Sequence, residues 1–174
     1  YPKRRESDAP SPLLPGQDGV YVPYSFMPIV KATSSSCTRA DLGLRDDGTV
    51  YVIVGNRLDR EITETFASMV RRLLEEDETA QVLIVGRGYG GLIEAGAAEG
   101  VGDRVVSLPV RRDLEAVFSV CDVFLNPFRQ GGGLSAFLAM DAGLAIMTCD
   151  GSDVANTAPP SGIHPDESAY GAAL

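Results

Sequence analysis

"TVYVIVGNRLDREI", residues 49–62, is the stretch that decides the fold of this chain. Its first half is a β-branched run that ends in Gly55, and from residue 60 to residue 75 apolar side chains recur at helical spacing. "QVLIVG" (81–86) then repeats the pattern of an apolar strand that ends in glycine. Strands that are apolar throughout are typical of a parallel sheet covered on both faces. The stretch therefore predicts the first β-α-β unit of an α/β fold.

Strands and helices continue to alternate towards the C-terminus. The remaining predicted elements are strands at "RVVSL" (104–108), "DVFLNPF" (122–128), "LAIMTC" (144–149) and residues 162–164, and helices at "LIEAGAAEG" (92–100), "DLEAVFSVC" (113–121, with Asp113 as N-cap), residues 133–142 and a segment from Asp166. Right-handed crossovers between such strands build a Rossmann-like, doubly wound parallel sheet of about six strands.

Residues 1–45 differ in composition from the rest of the chain. They are rich in Pro, Ser, Gly and charged residues without a sustained apolar period, so we interpret them as an arm or interdomain linker that is partly irregular. The alternative is a disordered tail that contains one apolar patch. Residues 46–174 form the predicted Rossmann-like domain. The chain opens on Tyr1 rather than Met and ends soon after Asp166, so we expect a fragment of a longer protein with a truncated C-terminal helix.

The net charge of −9 disfavours binding to nucleic acid or to an anionic membrane, because both require a basic surface. A small anion held by a few local arginines is compatible with it. No apolar run approaches the ~20 residues of a transmembrane segment, and no secretory leader opens the chain, so we expect a cytoplasmic location. Cys37, Cys121 and Cys149 lack metal-ligand spacing, and the last two lie in apolar runs that indicate a structural role. No metal site is predicted.

Open parallel sheets bind ligands beyond the carboxyl ends of their strands. The rule therefore predicts that a ligand contacts some of the five loops that follow the predicted strands, which begin after Val54, Val85, Leu108, Phe128 and Thr148.

The first of these loops carries Arg57 and Arg60, whose spacing of three places them on one side of a first helical turn. Two guanidinium groups at a strand end suit a diphosphate, which arginine can bind with two parallel hydrogen bonds. The alternative is that both arginines form surface ion pairs with Asp59, Glu61 or Glu64, each contributing about 0–1 kcal/mol.

The second loop, "GRGYGG" (86–91), places four glycines around Arg87 and Tyr89, which lets a ligand approach the backbone closely. Its glycine spacing does not match G-x-G-x-x-G. A dinucleotide fingerprint also belongs in the first strand–helix unit, which lacks such glycines. The loop therefore disfavours NAD and leaves Gly86 and Arg87 as candidates for another ligand.

The fourth loop leads into "QGGGLSAFLAM" (130–140), where three glycines precede a predicted helix and Ser135 lies in its first turn. Free N–H groups and the positive end of the helix dipole attract phosphate, and Arg129 can add charge. No Lys follows the glycines, so this is not a Walker A loop. The alternative is a tight strand-to-helix turn without a ligand.

Catalytic residues stay unknown at this stage. His164 is the only histidine, and its place in a short predicted strand favours a structural role. The sequence contains no defensible Ser–His–Asp set, carboxylate pair or metal cluster, so it predicts a ligand-binding domain rather than a complete catalytic site.

The order of these motifs over residues 46–174 resembles the C-terminal, donor-binding half of GT-B glycosyltransferases, in particular the family-4-like and O-GlcNAc-transferase-like enzymes. The resemblance implies a bacterial-type enzyme whose substrate is a nucleotide-diphosphate sugar, a UDP-sugar rather than a GDP-sugar, without a further cofactor. It implies hexosyl or N-acetylhexosaminyl transfer, and a preceding acceptor domain that this chain lacks. The isolated fragment is then expected to bind donor weakly and to be inactive.

Site residues also follow from the resemblance. Those implied for the donor diphosphate are Arg57, Arg60, Gly131, Gly132, Gly133, Leu134 and Ser135. Those implied for the rest of the donor pocket are Gly86, Arg87, Arg129, Leu138 and Asp150.

Three positions depart from the family pattern. Leu138 stands where an acidic residue commonly binds the ribose, Gln130 replaces an acidic residue before the glycines, and Leu134 replaces a threonine. A ribose-binding carboxylate cannot become leucine without losing about 2–5 kcal/mol of affinity. Asp141, three residues further along, is an alternative carboxylate. A non-catalytic GT-B-like module with a degenerate donor site, serving partner binding or regulation, is therefore a second hypothesis; a sugar-nucleotide epimerase would need acidic and histidine catalysts that the sequence does not offer.

Overall fold

The computed structural model describes residues 37–95, 97–98 and 100–174, and all structural statements concern these residues. The arm predicted for residues 1–45 lies largely outside the described residues, so its boundary stays a prediction. Within the described part, Leu42 and Leu44 precede the first strand and are buried in the core.

Within the described residues, six strands form one sheet in which every neighbouring pair is parallel. The strands are β1 (Val50–Gly55), β2 (Gln81–Gly86), β3 (Val105–Leu108), β4 (Val123–Leu125), β5 (Ala145–Cys149) and β6 (Ile163–His164). The order across the sheet is β3-β2-β1-β4-β5-β6, which confirms the predicted doubly wound, Rossmann-like topology.

In the part of the chain that the structure describes, five α-helices connect or follow these strands. They are α1 (Leu58–Glu61), α2 (Glu64–Glu76), α3 (Leu114–Phe118), α4 (Gly133–Asp141) and α5 (Glu167–Ala173). The helix predicted for residues 60–75 is divided in two, because the Thr63 hydroxyl accepts a hydrogen bond from the Phe66 amide (3.3 Å) and caps a new helix there. Among the described residues, no helix is both long and apolar enough to cross a bilayer.

Both faces of the sheet are covered, as the continuous apolar strands predict. Successive residues of β1 point to opposite faces, so Val52 and Val54 pack towards α3 and α4 while Ile53 packs towards α2 and α5. Phe66 of α2 and Tyr170 of α5 share the second of these cores. The two cores hold the carboxyl ends of the strands in register.

The helix predicted at residues 92–100 is wrong for the residues that the structure describes there: residues 92–95 and 100 lie in turns, and residues 97–98 lie outside any regular element. The Ala95 amide donates to the Gly91 carbonyl (2.9 Å), which is the hydrogen bond of a single helical turn. Arg71 donates to the Leu92 and Ala95 carbonyls (2.8 and 3.0 Å), and the Tyr89 hydroxyl accepts from the Ile93 amide (3.0 Å). Side chains therefore satisfy the backbone that a helix would otherwise pair.

Asp113 stands at the N-cap position of α3, but its side chain does not cap the helix. Instead it accepts hydrogen bonds from Arg111 Nε and Nη2 (2.8 and 2.6 Å). The guanidinium group lowers the pKa of the Asp113 carboxyl. The capping prediction is wrong because the Arg111 guanidinium, two residues before Asp113, binds the carboxylate that would otherwise accept from the helix amides.

Cys121 is buried, and its thiol donates to the Val117 carbonyl (3.2 Å). Burial raises the pKa of this thiol to about 12, so it stays protonated near neutral pH. This environment agrees with the predicted structural role.

Candidate functional site

The sheet order places a crevice beyond the carboxyl ends of β1 and β4. From β1 the chain winds to β2 and β3 on one side, and it returns to β4, β5 and β6 on the other. Such a reversal of direction separates the loops that follow the two central strands, and ligands of open α/β sheets bind there. The loop after β1 carries Arg57, and the loop after β4 carries the three glycines.

The glycine turn begins α4. Gly132 is the N-cap with φ +107°, and a Cβ atom there would lie 2.7 Å from Asn126 Oδ1 and 2.8 Å from Arg129 Nη2. At Gly131 a Cβ atom would meet no atom within 4 Å, so this side of the turn is open. The Ala136 amide makes the first helical hydrogen bond, to the Gly132 carbonyl (3.0 Å). The amides before it are the free donors of a helix start, at the positive end of its dipole.

The side chains of α4 divide between the crevice and the core. Leu134, in the first turn, is 61% exposed, whereas Ser135 is half-buried. Leu138 packs against the core on the α3 side of the sheet. Asp141 is exposed at the last residue of the helix, about 12 Å along the axis from Gly133 at 1.5 Å per residue. The structure therefore does not bring the alternative carboxylate to the glycine turn.

Arg57 and Arg60 flank the start of α1, and their side chains are 72% and 81% exposed. Arg57 Nε lies 3.6 Å from Glu61 Oε1, and Arg60 Nε lies 4.0 Å from Asp59 Oδ2. The Arg60–Asp59 pair is exposed on both sides and contributes about 0–1 kcal/mol. In the Arg57–Glu61 pair only the arginine is exposed, and the 3.6 Å contact is longer than a normal hydrogen bond, so both guanidinium groups are accessible to an incoming anion. Both arginines therefore form the ion pairs that the alternative interpretation predicts, and the role of Arg57 and Arg60 in binding an anion stays a prediction.

The loop after β2 is tied to the loop after β1 through backbone contacts. Gly86 has φ +145°, and a Cβ atom there would lie 1.6 Å from the Gly55 carbonyl oxygen. The Arg87 amide donates to the Gly55 carbonyl (3.1 Å), and the Leu58 amide donates to the Arg87 carbonyl (3.0 Å). These bonds place the exposed Arg87 side chain on the same edge as Arg57.

Arg129 occupies a different environment from the other three arginines. Its side chain is 8% exposed and forms an ion pair with Glu61, which is 11% exposed. Arg129 Nη2 donates to the Val54 carbonyl (2.7 Å), and Nε donates to Asn126 Oδ1 (2.8 Å). The sequence predicts Arg129 as added charge for a phosphate, whereas the structure places it beneath the turn with its charge neutralised.

A buried polar network extends from Arg129 along the strand ends. Asn126 Nδ2 donates to Thr148 Oγ1 (3.1 Å), and the Thr148 and Ser152 hydroxyls are 2.8 Å apart. Asn126, Thr148 and Ser152 are all buried. Sequence reasoning missed this network, although a polar residue inside an apolar run, as in "VFLNPF" and "AIMTC", signals one because buried polar groups need partners.

The loop after β5 reaches the glycine turn. The Asp153 amide donates to the Gln130 carbonyl (2.7 Å), and Asp153 Cβ lies 3.5 Å from where a Cβ atom on Gly133 would stand. Asp153 is exposed, so a carboxylate that the sequence did not single out lies beside the start of α4. Asp150 is also exposed, and its Oδ1 accepts from the Gly151 amide (2.9 Å).

His164 packs its ring edge-on against Tyr170, with ring centroids 5.5 Å apart. The Tyr170 hydroxyl is fully buried and has no hydrogen-bond partner among the described residues, and burial raises its pKa well above the ordinary value. This packing agrees with a structural histidine. Within the same part of the chain, no group of His, Cys, Asp and Glu is arranged to hold a metal ion.

Comparison with solved structures gives the same fold at low sequence identity. WaaG, a glycosyltransferase involved in lipopolysaccharide biosynthesis, matches with a TM-score of 0.63 and 18% identity over 77% of this chain and 39% of its own. A UDP-forming trehalose-phosphate synthase from Burkholderia xenovorans matches with a TM-score of 0.59 and 14% identity over 74% of this chain and 36% of its own. HepE of Anabaena, solved with UDP and glucose, matches with a TM-score of 0.55 and 16% identity over 66% and 33% of the two chains.

The chain therefore spans less than two fifths of each of these structures. Compared by sequence with curated proteins, it matches none. Residues 48–164, which include all six strands from β1 to β6, match the family described as glycosyl transferases group 1. The predicted resemblance is confirmed, and the chain belongs to the group 1 glycosyltransferases, with the fold of a GT-B Rossmann-like domain.

Proposed function

We propose that this chain is the donor-binding domain of a glycosyltransferase that takes a nucleotide-diphosphate sugar and transfers the sugar to an acceptor. The observation that carries the proposal is the glycine turn at the start of α4, which follows β4, while the exposed Arg57 follows the neighbouring strand β1. Helix-start amides and guanidinium groups are both donors that suit a diphosphate. A UDP-sugar is the favoured donor, because one solved relative is described as UDP-forming and another was solved with UDP and glucose.

In such a transfer, the anion site would stabilise the negative charge that develops on the diphosphate leaving group. When the bond between the sugar anomeric carbon and the diphosphate oxygen breaks, the diphosphate keeps the electron pair. Donors that already point at this oxygen stabilise the developing charge without reorganising. The amides of Gly133 and Leu134, together with Arg57 and Arg60, would stabilise that charge. A hydroxyl of the acceptor molecule, bound by an acceptor domain outside this chain, would form the new bond to the anomeric carbon and release its proton to water. The isolated chain should therefore bind donor without turnover.

Removing either exposed arginine should weaken UDP binding. We expect Arg57→Ala and Arg60→Ala each to raise the dissociation constant about tenfold, since each removes a charge-assisted hydrogen bond to phosphate. Isothermal calorimetry with UDP measures the effect. Arg45→Ala is the matched control, because Arg45 is also exposed and ion-paired but precedes the amino end of the sheet.

The wild-type chain should bind UDP in the millimolar range or tighter. Absence of binding at millimolar UDP, or equal weakening by all three arginine substitutions, would overturn the anion-site assignment.

The second hypothesis is a GT-B-like module with a degenerate donor site, serving partner binding or regulation. The position of Leu138, packed against the core where relatives commonly place an acidic residue, favours it. Leu138→Glu separates the two hypotheses. A degenerate site should gain about tenfold in UDP affinity from a restored ribose-binding carboxylate, whereas a site that holds ribose by other groups should gain nothing.

We expect Leu138→Glu to bind UDP no more tightly than the wild type does, because the donor-binding proposal requires a site that already holds the ribose by other groups. Titrations with UDP and with pyrophosphate isolate the ribose contribution, and Leu138→Gln controls for the change in shape. A gain for UDP alone that Leu138→Gln does not reproduce would contradict this expectation and favour the degenerate module.

A further inference from the structure

The buried pair of Glu61 and Arg129 joins the two walls of the crevice. Glu61 ends α1, just after β1, and Arg129 lies in the loop after β4. Arg129 also donates to the Val54 carbonyl of β1 (2.7 Å), so one side chain contacts both central strand ends. The pair is almost fully excluded from water, where an isolated charge would be costly.

The Arg129 guanidinium also shapes the glycine turn from below. A Cβ atom on Gly132 would lie 2.8 Å from Arg129 Nη2 and 3.1 Å from Nε, so the backbone of the turn rests directly on the planar group. Nε is held by Asn126 Oδ1 (2.8 Å), which fixes the plane of the guanidinium. All of these contacts lie on the side of the turn that faces the sheet.

The Glu61 carboxylate is shared between two arginines. It pairs with the buried Arg129, and its Oε1 lies 3.6 Å from Nε of the exposed Arg57. An anion that takes Arg57 from the carboxylate therefore leaves Arg129 paired. Arg57 is therefore available to a ligand, whereas Arg129 stays bound to Glu61.

We propose that Glu61 and Arg129 are positioning residues of the anion site: the buried pair fixes the backbone amides of the glycine turn, and Arg129 does not itself bind the anion. The proposal rests on the proposed function and deepens it. Arg129 acts through the geometry of its planar fork, which lysine cannot reproduce.

Glu61→Gln is the decisive variant because the two roles predict opposite signs. If only charge mattered, removing a carboxylate beside an anion site would tighten UDP binding. If the pair positions the turn, the same change loosens it, and we expect affinity to fall about tenfold. Asp59→Asn is the control, since it removes one carboxylate from the same short helix without touching the buried pair. That variant should bind UDP as tightly as the wild type or more tightly.

Arg129→Lys should weaken UDP and pyrophosphate binding about as much as Arg129→Gln does, measured by calorimetry well below the melting temperature of each variant. Equal or tighter binding by Glu61→Gln, or wild-type affinity in Arg129→Lys, would overturn the proposal. A wild-type chain that binds no UDP would overturn the proposed function and this inference together, so the two failures are distinguishable.

Wild-type protein provides a measurement that does not depend on the folding of any variant. In nitrogen NMR, the Arg57 Nε signal should shift on saturation with UDP. The Arg129 Nε–H signal should stay protected from exchange with water and keep its position, because its partner Asn126 is retained. A large UDP-dependent shift of the Arg129 signal, with that of Arg57 unmoved, would assign the anion to Arg129 and contradict the inference.

Discussion

Gly86→Ala is expected to lower the free energy of unfolding by about 4 kcal/mol or more, the range of the most damaging single substitutions. The new methyl group would lie 1.6 Å from the Gly55 carbonyl oxygen, which is backbone at the end of the adjacent central strand. The φ of +145° is also unfavourable for alanine. The strand ends must separate to admit the methyl group, and the hydrogen bond from the Arg87 amide to the same carbonyl is lost with them.

Urea unfolding followed by circular dichroism measures this loss. Gly91→Ala is the matched control for backbone strain, because Gly91 has φ +78° but a Cβ atom there meets no atom within 4 Å. It should cost about 1–2 kcal/mol. If Gly86→Ala costs no more than Gly91→Ala, the contact between the two strand ends is not what requires glycine at residue 86.

Gly132→Ala is expected to have the second largest effect, and to reduce both stability and binding. A methyl group at φ +107° would press on Asn126 Oδ1 and Arg129 Nη2, two atoms of the buried network. We expect a loss of about 2–3 kcal/mol in the free energy of unfolding, because strain and a disturbed polar network add. UDP affinity should fall at least about tenfold, since the amides that follow are displaced.

Thermal unfolding and UDP calorimetry on the same preparation check both effects. Gly131→Ala is the control for the fold, because its methyl group would meet no protein atom, and its melting temperature should equal that of the wild type. Unchanged UDP affinity in a destabilised Gly132→Ala variant would show that the turn is structural and does not bind the diphosphate.

The strands could be predicted because their signal is local. β1 and β2 are β-branched runs that end in glycine, and their burial on both faces follows from that composition. The start of α4 could be predicted for the same reason, since the glycines directly precede an apolar helical segment in the sequence. These features need no knowledge of distant residues, so the alternation of strands and helices was enough to establish the doubly wound sheet.

Elements that depend on distant side chains could not be predicted in the same way. The segment at residues 92–100 has helical composition, but Arg71 of α2 binds the Leu92 and Ala95 carbonyls, and residues 92–95 form turns. The partner of Arg129 is Glu61, on the other side of the crevice, so nothing in the local sequence separates a buried arginine from one that awaits a ligand. The exposed Arg57 and the buried Arg129 follow similar strand ends and differ only in tertiary contacts.

The placement of β4 beside β1 also bears on how the chain folds. β1 and β2 pair across the short segment that holds α1 and α2, whereas Tyr51 meets Val123 only after the whole intervening chain has closed into a loop. The entropic cost of closure rises with loop length, and long-range pairings of this kind form slowly. The half of the sheet from β1 to β3 can therefore assemble first, and the crevice acquires its second wall late in folding.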